Sequence, residues 1–174
     1  PDLATWADAT RSHQAEVLRI QIEAMRRRKY QPCGGFALDR LLDAEPCISG
    51  SLLDHDRQPK PAHAAVTTAC ATTIVVADPL PRRLRQGATL LTDVAVVHDG
   101  REDLGLTRID AHLDIAGETL TWAWKGDVGA DSSVHVGRIE WPTGNAQGGI
   151  ELALVLSAGG VTAANRYAST VAGV

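Results

Sequence analysis

The feature that most constrains this chain is a change of hydrophobic period near residue 72. From there on, β-branched runs recur at short intervals: Thr73–Val76, Leu91–Val97, Ile109–Ile115, Leu120–Trp124, Val134–Ile139, Ile150–Leu156 and Val161–Val171. Turn signals such as Asp99-Gly100, Thr143-Gly144 and Gly159-Gly160 separate them, and runs bounded in this way read as strands. No window of helical period interrupts them. Seven strands over residues 72–174 predict an all-β, immunoglobulin-like sandwich.

Residues 1–71 read differently. Between Ser12 and Lys29, Ala15, Leu18, Ile22 and Met25 recur at spacings of three and four, which is one apolar stripe of an α-helix. Thr10 or Ser12 is placed to cap it, and Pro32 follows its end. The run Gly34-Gly35-Phe36-Ala37-Leu38 then reads as a short buried strand. An irregular stretch leads to Pro61, which opens a second helical window, Ala62–Ala71. Helix, buried strand and helix together predict an α/β piece. One such strand with two helices cannot cover its own faces, so this segment is expected to lean on more protein.

Composition narrows the partners. With 44% hydrophobic and 22% charged residues, the 174-residue chain has the balance of a soluble globular protein. A net charge of −4 leaves no surplus of cations for phosphates, so nucleic acid is not an expected partner. The run Arg26-Arg27-Arg28-Lys29 falls where positive charge favours a helix C-terminus. No apolar stretch approaches the roughly 18 residues of a membrane span, so no membrane partner is expected either. Cys33, Cys47 and Cys70 show no metal-binding spacing, and their odd number favours reduced thiols and a cytoplasmic setting. The start at Pro1 rather than Met is expected of a processed chain or of part of a longer one.

A family resemblance rests on residues 12 to 71. Gln14 to Arg19, Ile22 to Lys29 and Gly34-Gly35-Phe36 are similar to the penultimate helix and last strand of the (β/α)8 barrel in family 2 glycoside hydrolases, notably β-mannosidase-like members. The family continues with an asparagine-aspartate-x-tryptophan-proline loop, a serine-tryptophan strand, an aspartate and an arginine-proline-lysine turn. The corresponding residues here are Leu42-Asp43-Ala44-Glu45-Pro46, Ser49-Gly50-Ser51, Asp54, and Arg57, Pro59 and Lys60. Both pocket tryptophans are replaced, by Glu45 and Gly50, and the asparagine by Leu42. Sugar rings stack on aromatic faces, so these departures point to an unusual specificity or a lost sugar site.

The resemblance implies an α/β remnant of a TIM barrel (residues 1–71) followed by an immunoglobulin-like sandwich (72–174). It implies the C-terminal portion of a retaining hydrolase of β-glycosides, with no cofactor and no metal. The remainder of the barrel, on the same or another chain, and a carbohydrate substrate are its implied partners. Retaining glycosidases use two carboxylates about 5–5.5 Å apart, and the resemblance places both before the first helix of this chain. Asp39, Arg40, Asp43 and Glu45, after the expected strand, are the candidates for contact with substrate, against solvation or local hydrogen bonding as the plainer role. Asp54, Arg57, Pro59 and Lys60 are expected to fix the turn into the second helix, through a salt bridge and backbone contacts.

His55, His63, His98, His112 and His135 have no partner pattern for metal or nucleophile activation. Two further readings stay open: a catalytically inactive homologue, and a non-catalytic carbohydrate- or protein-binding sandwich. Trp122 and Trp124 share one face of a strand. Burial of their indoles favours the hydrolase reading, and an exposed aromatic strip favours a binding module.

Overall fold

The computed structural model describes residues 2–115 and 117–173. The chain divides into two compact units, Pro1–Ala71 and Thr72–Val174.

The first unit contains helices α1 (Leu3–Arg27) and α2 (Pro61–Ala69), which pack on each other. Helix α1 begins well before the apolar stripe. Its cap is Asp2, whose Oδ1 accepts from the Thr5 N–H at 2.8 Å. Thr10 is no cap, since its hydroxyl donates to the Trp6 carbonyl inside the helix. At the other end Arg26 turns inward and is buried, and its guanidinium donates to the Ala69 carbonyl. The cation thus serves the C-terminus of α2, where a positive group is favoured.

The expected strand at 34–38 does not form. This run is exposed and makes no strand pairing among the described residues, and the neighbouring bridges are isolated ones at Lys29–Cys33, Leu42–Leu53 and Leu53–Pro59. A barrel remnant needs a buried parallel strand between its helices. The α/β reading of a TIM-barrel remnant is therefore corrected: among the described residues the chain is mostly β, with two helices joined by an irregular segment. Gly-Gly-Phe-Ala-Leu is too short for period to separate strand from loop.

Among the described residues the second unit holds eight strands: β1 (Thr73–Ala77), β2 (Leu84–Arg85), β3 (Thr89–His98), β4 (Gly105–Ile115), β5 (Glu118–Val128), β6 (Ser132–Pro142), β7 (Gly148–Ala158) and β8 (Val161–Ala172). Each of the seven expected runs lies within one of them. The addition, β2, pairs for two residues, in parallel, with the end of β8. One sheet has the order β1-β3-β6 and the other β2-β8-β7-β4-β5. Their inner faces share a core that includes Val75, Val94, Val96 and Ile139 from the first sheet and Leu113, Leu152, Leu154 and Leu156 from the second. This is sheet-on-sheet packing. Ile74, Val76, Ala95 and Val97 form a second buried cluster on the opposite face of β1 and β3.

Polar bonds tie the sheets where apolar contact cannot set register. The Tyr167 hydroxyl on β8 accepts from the Ala77 N–H of β1 at 3.0 Å and from Asn165 Nδ2 at 2.8 Å. Asn165 also donates to the Val75 carbonyl at 3.2 Å. At the opposite edge Trp124 lies over Gly137, where an added Cβ would fall 2.3 Å from the indole nitrogen.

Tyr167→Phe is expected to destabilise the sandwich by about 1–3 kcal/mol, because the buried Ala77 N–H loses its acceptor. Urea denaturation followed by tryptophan fluorescence measures this, and an unchanged midpoint would refute the assigned role.

Candidate functional site

The centre of the first unit is polar. Its buried apolar side chains are Ile22, Leu52, Ala62 and Ala69, whereas Glu23, Arg26, Asp43, Ser51 and Lys60 are also buried. Lys60 precedes α2 directly, with Pro61 as the first helical residue. Its Nζ donates to Asp43 Oδ2 at 2.6 Å, to Ser51 Oγ at 2.7 Å and to Ser49 Oγ at 3.3 Å. The Ser49 hydroxyl donates to the other Asp43 oxygen, and the Ser51 hydroxyl to the Leu53 carbonyl at 2.8 Å. The Lys60 and Asp43 side chains are 3% and 1% exposed, so this ion pair is shielded from water on every side.

Backbone bonds bring the four side chains together. Leu53 N–H donates to Leu41 O at 2.8 Å, Asp43 N–H to Leu53 O at 3.2 Å and Lys60 N–H to Leu52 O at 2.9 Å. Three short stretches are thereby clamped side by side. From α1, Gln14 Nε2 donates to Gly50 O at 2.8 Å and to Ser51 O at 3.1 Å. Gln14, Ser49 and Ser51 lie in stretches that carry the family resemblance, but nothing there marked them as members of a hydrogen-bonded network. The available signal is the Ser-x-Ser spacing, which puts two hydroxyls on one side of an extended stretch.

Among the described residues the Asp54 and Arg57 side chains form no salt bridge; the two are joined through the backbone, the Arg57 N–H donating to Asp54 O at 3.0 Å. The Asp54 carboxylate accepts from the Asp56 and Gln58 N–H groups at 3.0 and 2.8 Å, and Gln58 O accepts from the Asp54 N–H at 3.0 Å. This is an aspartate-centred turn. Arg57 is exposed and occupies its left-handed position, with φ 62°. Pro59 bridges Leu53 on the way to Lys60. The salt bridge of this segment joins Lys60 to Asp43 instead.

Of the four candidate substrate contacts, Asp43 is buried in the network. Asp39, Arg40 and Glu45 are exposed and make no hydrogen bond or ion pair among the described residues. The four are not assembled into one site. The Lys60 ammonium and the Ser49 hydroxyl hold the Asp43 carboxyl well below the usual carboxylate range, so it stays an anion. All three N–H bonds of Lys60 are occupied, which leaves no lone pair to activate either serine. The cluster is equipped to hold a loop in shape and has no free base or nucleophile. Among the described residues no group of three histidine, cysteine, aspartate or glutamate side chains could hold a metal.

In the sandwich, Trp122, Trp124 and Trp141 are half-buried and pack against the core. Among the described residues of this unit there is no exposed aromatic strip. The principal ion pair is on β3 and β6. Arg138 donates to both Asp93 oxygens, at 2.6 and 3.0 Å, with His135 Nε2 3.4 Å away. The guanidinium first, with His135 beside it, lowers the Asp93 carboxyl to about 2.

No protein-family model matches this sequence, and no curated protein matches it. Among solved structures, the chain is similar to an alkylpurine DNA glycosylase of Pseudomonas fluorescens bound to DNA with an abasic site analogue, at 12% identity and TM-score 0.43, over 64% of this chain and 34% of that one. It is similar to the CARDB domain of a Pyrococcus furiosus protein in complex with di-metal ions, at 14% identity and TM-score 0.44, over 57% and 91%. It is also similar to the β-glucosidase of Listeria innocua, at 13% identity and TM-score 0.44, over 59% of this chain and 16% of that one. The chain thus spans about a third of the glycosylase and a sixth of the β-glucosidase. No activity follows from likeness of this degree.

Two outcomes test these electrostatics. Lys60→Met strands a buried carboxylate, so the helical signal of the first unit should melt lower by about 5 °C or more. Combining it with Asp43→Leu should recover part of that loss, because removing both charges costs less than removing one. Thermal scans of the three variants at 222 nm decide it, and additive losses would count against a coupled pair. For Asp93 the folded carboxyl lies below the ordinary value of 3.8, so its contribution is present above pH 4 and fades as pH falls toward 2. Asp93→Asn should therefore lower Tm at pH 7 by a modest amount, since Arg138 is solvent-exposed, and the difference from the parent chain should shrink as pH falls through about 2 and vanish only below it.

Proposed function

We propose that this chain is a non-catalytic part of a β-mannosidase-like glycoside hydrolase of family 2. In this reading residues 1–71 dock on a catalytic portion carried elsewhere, and the β-sandwich supports it. The observation that carries the reading is the fold of the segment with the family's residue order. Asp43 and Lys60 work inward through the buried pair, and Asp54 and Pro59 shape the chain beside them through the aspartate-centred turn and the Leu53 bridge. That is the work of a support and not of an active site.

A second feature agrees with docking. Phe36, Leu38, Leu41, Leu42 and Ile48 are all exposed on the segment that the buried network holds in shape. Apolar side chains gathered on one ordered stretch are a surface for another body of protein. The substrate-binding aromatics of the family are missing at Glu45 and Gly50, so the sugar contacts in this reading belong to the catalytic portion.

The test uses the 174-residue chain beside the full gene product that contains it. The isolated chain is expected not to hydrolyse aryl β-mannosides or β-glucosides, whereas the full product does. Phe36→Ser with Leu41→Ser should lower the isolated chain's Tm only slightly, because both side chains are exposed in it, and should lower that of the full product by more. Turnover by the isolated chain, or indifference of the full product to the double substitution, would refute the reading.

A further inference from the structure

A separate feature of the sandwich points to a ligand. On the outer face of the five-stranded sheet, the cross-strand partners Thr162–Ser157, Ser157–Arg108 and Arg108–Lys125 form one row across β8, β7, β4 and β5. At the strand spacing of a sheet the row is about 14 Å long. It lies in an open depression of about 510 Å³, flanked by Leu106, Val161 and the turn at Gly159-Gly160. Both turn glycines have positive φ, 50° and 90°, as a two-residue hairpin of type I′ requires.

We propose that this row binds an acidic sugar, a carboxylate carried on a polyhydroxylated ring. Arg108 and Lys125 are like charges directly opposite each other, an arrangement that destabilises a sheet unless an anion sits between them. Asp110 offsets only part of this. It takes Arg108 Nε and Nη2, at 2.7 and 2.5 Å, and leaves Nη1 free to donate while fixing the plane of the guanidinium. The Asp110 charge also acts on Lys125 from a distance, but Lys125, Ser157 and Thr162 make no side-chain hydrogen bond or salt bridge among the described residues. Asp127 stands two residues beyond Lys125 on the same face and does not pair with it.

The three kinds of contact match one class of ligand. Two cations at one end suit a carboxylate, and two hydroxyls further along suit sugar hydroxyls. Leu106 and Val161, 68% and 38% exposed, offer apolar surface to ring CH groups. A single inorganic anion would use the cations alone and leave most of the row empty. The site is independent of the docking role of residues 1–71.

Nuclear magnetic resonance titration of the 15N-labelled 174-residue chain tests it, with sodium trigalacturonate, neutral maltotriose and sodium sulphate as probes. Trigalacturonate is expected to shift the amides of Lys125, Ser157 and Thr162, more weakly as salt is added. Maltotriose should leave them in place, and sulphate should move Lys125 without Thr162. Lys125→Gln should weaken trigalacturonate by about threefold to fivefold, the scale of one exposed ion pair, and Thr162→Val should weaken it without altering the response to sulphate. Equal shifts with maltotriose, a sulphate response that reproduces the whole pattern, or unchanged affinity in both variants would overturn the proposal.

Discussion

A charge that leaves water must find its hydrogen bonds elsewhere, and this requirement organises the first unit. Lys60 and Asp43 are both out of solvent, and each is satisfied by the other and by Ser49 and Ser51. Breaking such a pair strands an ion, which is far costlier than never having buried one. The backbone around it consequently has little freedom. Leu41, Asp43, Leu52, Leu53 and Lys60 are fixed by main-chain bonds that serve the pair, and the turn at Asp54 keeps the right length of chain between them. Two helices with few apolar contacts thus acquire a defined connection.

The sandwich is organised by the opposite requirement, that both sheets hide an apolar face. Leu113, Leu152, Leu154 and Leu156 are inaccessible to solvent, and so are Val94, Val96 and Ile139 across from them. Such packing is strong but has no preferred alignment. Tyr167 and Asn165 supply it by binding backbone atoms of β1. Trp124 and Gly137 do the same by shape at the far edge, where a bulky indole meets a residue with no side chain.

The strands were legible in the sequence because β-branched residues alternate and Gly-containing turns separate them; only β2, two residues beside a cluster of arginines, gives no period to read. The start of α1 was not legible. None of residues 3 to 11 is buried and most are exposed, so no apolar stripe marks them, and the helix there rests on the Asp2 cap and three alanines. Phe36 to Leu38 misled for the converse reason: apolar residues suggested burial, yet strand pairing depends on neighbours that composition does not reveal. At the candidate site, the sequence marked Asp43 and Lys60 separately, as a ligand contact and a turn residue. Their pairing over 17 positions is a tertiary fact, invisible to local spacing.

The contrast between the two units also has a calorimetric side. Exposure of apolar surface raises the heat capacity on unfolding, and exposure of polar surface lowers it. The first unit buries Ile22, Leu52 and two alanines around a charged hub, so its stability should change gently with temperature. The sandwich, with its leucine and valine core, should follow a strongly curved dependence and lose strength on cooling as hydrophobic burial weakens. Cooling should therefore erode the stability of the sandwich more steeply than that of the unit built around hydrogen-bonded charge.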